Sequence, residues 1–532
     1  MFIHRLKNPQ SYLVVFLFLL LLSWYGLFLI HRIDLAAADL GRHLKNGQIL
    51  VENFSLDSPV LKTNFYSYTE PDYPTINHHW LSGVIFFLVF RSAGFVGLHL
   101  FFIGLSFLAF WLFFRVARKE TNLGLAVILS LLIIPLIAER IELRPEVFSY
   151  VFAGFFLNLL WSWRQGFLSW RWLLLLPLIE VFWVNLHLYF ILGPVLVGVF
   201  LLESLLISAR RRYFLKLSSL FLLVVLSTLI NPFGIEGASA PFNIFQNYGY
   251  RLLENQSVWF LEKLGFIINP NFLLFKIVLL VLVLSFLAVL KIAPRKISLV
   301  NLCFALGFGL AGFLAIRNFT IFGLFSLPLI AANLKVIKEG NFFPERVRLD
   351  FLSLSFRSLL IVLGSTMVVL LIFNHSSRIS VPPRLGLGVL AGNSSAADFF
   401  REQDLKGPIF NNYDIGGYLI FYLFPRERVF VDNRPEAYSL DFFQKKYIPF
   451  QEDENEWRRG EEKYGFNAIF FSHRDATPWG QEFLVKRIKD PSWAVVYFDS
   501  YGIVFLKVNE LNRNVIGQYE IPKEVFGVIK SP

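Results

Sequence analysis

A chain of 532 residues with 55% hydrophobic residues, 61 of them Phe, and only 17% charged residues lies far from the balance of a soluble globular protein. The net charge of +11 would suggest a nucleic-acid partner in a soluble chain, but the basic residues sit in short loops between apolar runs. There they act as topology determinants, and nucleic-acid binding is set aside. The one cysteine, Cys303, excludes an intramolecular disulfide and a Cys-based metal cluster.

The opening "MFIHRLKNPQ" precedes about twenty apolar residues, too long for the core of a signal peptide, and reads as a retained signal-anchor helix. Runs long enough to cross a bilayer recur at 11–31, 96–114, 122–139, 146–163, 172–188, 189–208, 214–230, 271–290, 298–316, 319–335 and 355–373. A shorter apolar stretch, Trp80–Phe90, is closed by Arg91 and Gly94. If it does not cross, then Arg115, Arg118, Lys119, Arg164, Arg171 and Arg210–Arg212 all fall on the side of Arg5 and Lys7, as the positive-inside rule requires. The expectation is a multipass α-helical membrane protein of about eleven spans, with a cytoplasmic N-terminus and Trp80–Phe90 as a juxtamembrane helix.

This arrangement gathers polar residues of both signs on the outer face: the loop 32–79, "ERIELRPE" (Glu139–Glu146), "NLH" (Asn185–His187), "NPFG" (Asn231–Gly234), the loop 235–270 and Arg317. Ionisable residues at bilayer depth mark sites or pathways. Asp39, and after it Asp34, could serve as a general base or a metal ligand, or Asp39 could simply cap a helix over 40–52. His78 and His79 are adjacent, so they do not share a helix face as a chelate would need. Arg140 and Arg144 suit a phosphate through forked hydrogen bonds, or pair with Glu142 and Glu146 to tie two helix ends. Arg317 stands alone between apolar spans, against the charge rule. Asn185 and His187 sit at another outer helix end, where packing is the competing role.

From about Ser376 the composition turns mixed. Residues 376–395 read as a linker, and 396–532 as a soluble, extracytoplasmic α/β domain. Strands are expected in "GPIF", "RVFVD", "NAIFF", "WAVVYF" and "GIVFLKV", with helices over 436–447 and 478–489. Asp414 lies in a turn, while Asp432 and Arg434 follow a strand end, where ligands of α/β folds bind unless the two form a loop-fixing ion pair. No P-loop or dinucleotide fingerprint occurs.

Taken in order, "ADLGRHLKNGQI", "FYSYTEPDYPTINHHWLSGVIF", "LRPEVFSYVF", "WVNLHLYFILG", "NPFG", "FNNYDIGGYLIFYL" and "VFVDNRPEAY" resemble bacterial membrane proteins of the GT-C glycosyltransferase superfamily, which includes protein O-mannosyltransferases and the lipid A aminoarabinose transferase. The resemblance runs over nearly the whole chain, with residues 1–375 as the GT-C-like transmembrane domain and 32–95 as its external loop. It implies a polyprenyl-phosphate-linked sugar donor and a glycan, lipid or protein acceptor of the envelope. Asp39 matches the motif's catalytic acid. Asp34, His43, His78, His79, Arg140, Arg144, Glu146, Asn185, His187 and Arg317 are the candidate substrate-binding residues. No residue is assigned to a metal, and a divalent ion is left open. Ala38 and His79 depart from the acids that relatives carry at those places. The competing expectation is a non-catalytic glycan carrier, flippase or envelope-assembly protein on the same fold.

Overall fold

The computed structural model describes residues 9–527 apart from 38, 54, 244–246, 266–268, 341–384 and 476. The apolar run 355–373 and residues 376–384 of the expected linker fall outside the described residues. The principal helices are α1 (Pro9–Leu29), α2 (Leu40–Glu52), α3 (Trp80–Glu120), α4 (Leu123–Ile137), α5 (Glu146–Arg164), α6 (Leu175–Leu186), α7 (Leu192–Leu206), α8 (Phe214–Ser227), α9 (Pro270–Ile292), α10 (Leu299–Leu314), α11 (Phe319–Glu339), α12 (Gly416–Leu423), α13 (Glu454–Tyr464) and α14 (Pro478–Lys489). Among the described residues, four helical stretches are long and apolar enough to cross a membrane: Trp80–Glu120, Leu188–Leu206, Pro270–Ile292 and Ile316–Glu339. The chain divides into two units: 1–31, 100–231 and 252–379 form the first, and 32–99, 232–251 and 380–532 the second.

The first unit is helical throughout its described residues. At its centre lies α11, whose most apolar stretch is 78% buried, whereas that of α9 is 28% buried. The leucines Leu273, Leu280, Leu284 and Leu287 of α9 are left exposed, as expected of a lipid-facing surface. Aromatic rings fill the contacts of α11: Phe325 stacks on Phe308 at 3.8 Å, and Phe319 on Phe275 at 4.6 Å. Small residues let backbones approach; a Cβ on Gly154 of α5 would lie 2.9 Å from Leu112 Cβ. Polar clusters stand at both ends of α5. Glu146 is in its first turn and Arg164, forked onto Glu203, in its last. At ~1.5 Å per residue they lie roughly 27 Å apart, close to a hydrocarbon thickness.

The second unit carries a four-stranded mixed sheet, β1 (Ile409–Asn411), β2 (Ala468–Phe471), β3 (Trp493–Phe498) and β4 (Ile503–Lys507), in the order β1-β2-β4-β3. β1 and β2 are parallel, and the other two pairings are antiparallel. "RVFVD" does not become the expected strand. Its Phe430 N–H and Val431 carbonyl are taken by the Asn411 side chain at 2.8 and 2.7 Å, and Val429 exchanges backbone bonds with Tyr66 and Tyr68, so the ladder is replaced by other partners. The expected helix 436–447 is likewise broken into a 3-10 turn, one short turn at Leu440–Phe442 and a π-turn at Phe443–Tyr447, set by close packing of Tyr438, Phe442, Phe443 and Tyr447.

Glycines fix α2 within this unit. A Cβ on Gly41 would lie 2.6 Å from the Gly417 carbonyl oxygen on α12, and one on Gly47 would lie 2.0 Å from that of Gly83 on α3. The helical path of α3 breaks at Gly94 (φ 63°, ψ −167°), a conformation that only glycine adopts readily, so Trp80–Ala93 is a helical piece of its own.

Candidate functional site

The N-terminus of α2 carries the first polar centre, in the second unit. Asp39 occupies the N-cap position yet makes no side-chain capping bond; its Oδ2 instead lies 3.5 Å from His43 Nε2 and 3.6 Å from Arg42 Nη2. One helical turn separates these residues, so Arg42 and His43 come beneath Asp39 by helix geometry alone. The Asp39 side chain is 21% exposed while His43 is fully buried. The His43 ring meets His79 edge-to-face at 5.6 Å, and His79 meets His78 at 4.0 Å.

Residues from elsewhere in the unit hold this turn. Arg42 Nε donates to Asn433 Oδ1 at 3.2 Å. The adjacent Asp432 and Arg434 form a buried two-point pair, with Arg434 Nε and Nη2 donating at 2.8 and 2.6 Å, and Arg434 also donates to Asn64. Asn46, one turn after His43, accepts from the Tyr66 hydroxyl at 2.6 Å. Burial lifts the Glu436 carboxyl above its ordinary range, and Arg42 and Arg434 only partly offset this.

The second polar centre lies in the first unit, at the N-terminal end of α5. Arg140 forks onto Glu146 at 2.9 and 2.8 Å and reaches Glu254 with its remaining nitrogen at 2.6 Å. Arg144 donates to the same Glu254 oxygen at 3.0 Å and pairs with Glu142. Arg317 donates to Glu146 at 3.3 Å and to Asn255 at 2.9 Å, and its guanidinium lies over the Tyr189 ring. Burial alone would raise Glu254, but Arg140, Arg144 and Arg317 hold it at about 2. Beside them, Trp183 Nε1 donates to Ser149 Oγ at 2.7 Å, and Ser149 lies 2.8 Å from His187 Nδ1. Nδ1 also receives the Tyr189 N–H at 3.3 Å, so it is the acceptor and the ring proton belongs on Nε2.

The sequence candidates therefore separate. Asp39, His43, His78, His79, Asp432 and Arg434 come together in one unit, and Arg140, Arg144, Glu146, His187 and Arg317 in the other. Asp34 accepts from Asn393 and from the Ala36 N–H, and pairs with Arg474 at 2.6 Å, which makes it a tether within its unit. Asn185 binds the carbonyls of Val181 and Ile230 and serves helix packing. Asp414 follows Tyr413, whose ring stacks on Tyr250 at 4.3 Å. Burial, and then Asp475, raises the Asp414 carboxyl to about 7. Sequence reasoning missed Arg42, Asn433 and Glu254. The i+3 spacing in "DLGR" could have signalled Arg42, whereas nothing local to "LLEN" points from Glu254 to three distant arginines.

No group of three or more His, Cys, Asp or Glu among the described residues is placed to hold a metal ion.

Solved structures share the fold, among them two of archaeal origin. One is an oligosaccharyltransferase of Archaeoglobus fulgidus in complex with zinc and sulfate, with TM-score 0.56 and 12% identity over 93% of this chain and 73% of that one. The other is the archaeal oligosaccharyltransferase AglB from the same organism, in complex with an inhibitory peptide and a dolichol-phosphate, with TM-score 0.56 and 12% identity over 95% and 75% of the two chains. Neither the protein-family models nor the sequences of curated proteins match the chain. At this identity the likeness establishes a common fold and leaves the reaction to be argued from the residues.

Proposed function

We propose that this protein is an integral-membrane glycosyltransferase of the GT-C type, transferring a sugar from a polyprenyl-phosphate donor to an envelope acceptor at the outer face of the membrane. The observation that carries this reading is the convergence of Arg140, Arg144 and Arg317 at one end of α5, in a chain whose fold is shared with oligosaccharyltransferases. Forked guanidiniums are the usual ligands of phosphate oxygens. The dolichol-phosphate and peptide bound by AglB support a lipid-linked donor here and admit a protein acceptor. About eleven spans, a cytoplasmic N-terminus and an external tail complete the reading.

In this mechanism the acceptor hydroxyl oxygen bonds to the anomeric carbon and its proton passes to Asp39. The bond from that carbon to the phosphate oxygen breaks, and the electron pair stays on the departing polyprenyl phosphate. Negative charge grows on that phosphate, where arginines stabilise it most. Arg42 and His43 would orient Asp39. Asp414, Asp432 and Arg434 are candidates for acceptor contact or for supporting the Asp39 turn. Asp39 and the arginine cluster belong to different units, and each role is tested separately.

The zinc in the first neighbour raises the question of a divalent ion. Around Asp39 the donors are one carboxylate and the imidazoles of His43 and His79, with the Arg42 guanidinium 3.6 Å from that carboxylate. A guanidinium already beside the Asp39 carboxylate disfavours a divalent ion there, so these residues fit proton transfer better than metal binding.

The deciding experiment compares wild type with Asp39→Asn for release of polyprenyl phosphate from a panel of labelled lipid-linked sugars. Turnover by wild type alone is expected. Equal turnover by both would remove Asp39 from the mechanism. No turnover by wild type across the panel would favour a non-catalytic carrier, flippase or assembly protein.

A further inference from the structure

The two acids of the arginine cluster are held in different ways. Glu146 belongs to the first turn of α5, and its side chain is 5% exposed. Both its oxygens are engaged by the Arg140 fork, with Tyr150 and Arg317 adding one donor each. Glu254 sits on a three-residue 3-10 turn, Leu253–Asn255, and its side chain is 23% exposed. One of its oxygens takes Arg140 and Arg144, and the other stands 3.9 Å from Arg317. Two guanidiniums from the 139–146 segment and that of Arg317 thus aim at one carboxylate on a short loop turn.

A carboxylate offers arginine the same kind of acceptor edge as a phosphate. With Glu254 in place, three largely buried cations face three acids, Glu142, Glu146 and Glu254. With it withdrawn, they face Glu142 and Glu146, leaving an excess of one positive charge. That excess calls for an anion, and a phosphate monoester, carrying roughly −1.5 to −2 at neutral pH, supplies it; this is the form of the departing lipid. A neutral lipid could not replace the carboxylate, because three desolvated guanidiniums would be left without an anion.

We infer that Glu254 occupies the phosphate subsite as an exchangeable internal anion, and that the turn Leu253–Asn255 withdraws when a polyprenyl phosphate enters. Glu254 is thereby a specificity-determining residue: it admits lipids that carry a phosphate and turns away those that do not. The inference rests on the phosphate-donor reading above.

The test uses the full chain in nanodiscs and measures binding of a polyprenyl phosphate, with the unphosphorylated polyprenol as control. Glu254→Gln keeps the size of the side chain and removes the competing charge. It should bind the phosphate at least ~10-fold more tightly than wild type and leave polyprenol binding unchanged. Binding by wild type that is equalled or weakened in Glu254→Gln would overturn the inference and leave the donor reading standing. Absence of phosphate-dependent binding in both would overturn the two together. Binding by Glu254→Gln alone would support both.

A second measurement does not depend on that variant folding. Leu253 is 45% exposed, and in a Cys303→Ala background Leu253→Cys should change its thiol-labelling rate several-fold on addition of polyprenyl phosphate but not of polyprenol. An unchanged rate at saturating phosphate would overturn the inference.

Discussion

The arginine cluster of the helical unit and the Asp39 turn of the sheet-bearing unit treat charge in opposite ways. At the first, guanidiniums meet carboxylates at 2.6 to 3.0 Å in forked, geometrically matched pairs. At the second, His43 Nε2 and Arg42 Nη2 stand 3.5 and 3.6 Å from the Asp39 carboxylate, without a forked match. A site that must grip an anion gains from rigid donors, whereas an acid that must accept and return a proton gains from looser contacts. Under the proposed function, the cluster would supply both stability and anion affinity, while the turn would supply the proton transfer and little stability.

The largest expected effect divides the two along that line. Asp39→Asn should lower sugar transfer by ~10²–10⁴-fold, the usual worth of a general base, with the melting temperature unchanged. A large loss of melting temperature would show Asp39 to be structural. Arg140→Leu should act in the reverse sense, leaving Glu146 and Glu254 short of partners and costing about 3–5 kcal/mol, read by thermal unfolding in detergent. Acidification should imitate it. Because Glu254 is held at about 2 against an ordinary 4.5, its contribution is present above pH 4.5 and lost as the pH falls towards 2. A melting curve indifferent to pH over that window would break the comparison.

Smaller effects probe the supports. Gly47→Ala places a Cβ 2.0 Å from the Gly83 carbonyl oxygen, and the backbone must shift at a cost of about 1–3 kcal/mol. Transfer should fall further than stability explains, since α2 carries Asp39. Asp414, raised from 3.8 to about 7, holds a proton in the folded chain that the unfolded chain releases. Its contribution to stability is therefore greatest below pH 3.8, falls as pH rises to about 7 and is level beyond. Asp414→Asn should flatten that slope and raise the melting temperature at pH 8. Arg474→Ala, which cuts a partly exposed pair to Asp34, should cost no more than about 1 kcal/mol.

Some of this was legible in the primary structure. The helices α1, α5, α9 and α11 fall where hydropathy puts apolar runs, because lipid or a buried interior rewards uninterrupted apolar stretches and backbone bonds close within one helix. The helix after Asp39 was foreseen too, although its side chain makes no capping bond and turns to Arg42 and His43 instead. "RVFVD" has strand composition but no free ladder, since Asn411 supplies the bonds that a neighbouring strand would have made. That is invisible locally, because the partner is some twenty positions away and acts through a side chain.

What the sequence alone determined was the apolar, multipass character, the basic loops, and the motifs that singled out Asp39, the arginines of "ERIELRPE" and Arg317. These depend on composition and short spacing, which the chain carries wherever it folds. The tertiary structure decided which of them meet: Glu254 with Arg140, Arg144 and Arg317, and Asn433 with Arg42. It also turned Asp34 and Asn185 from site candidates into tethers. Such pairings join residues from about sixty to nearly four hundred positions apart, and their energy comes from burial and geometry that exist only once distant segments have packed.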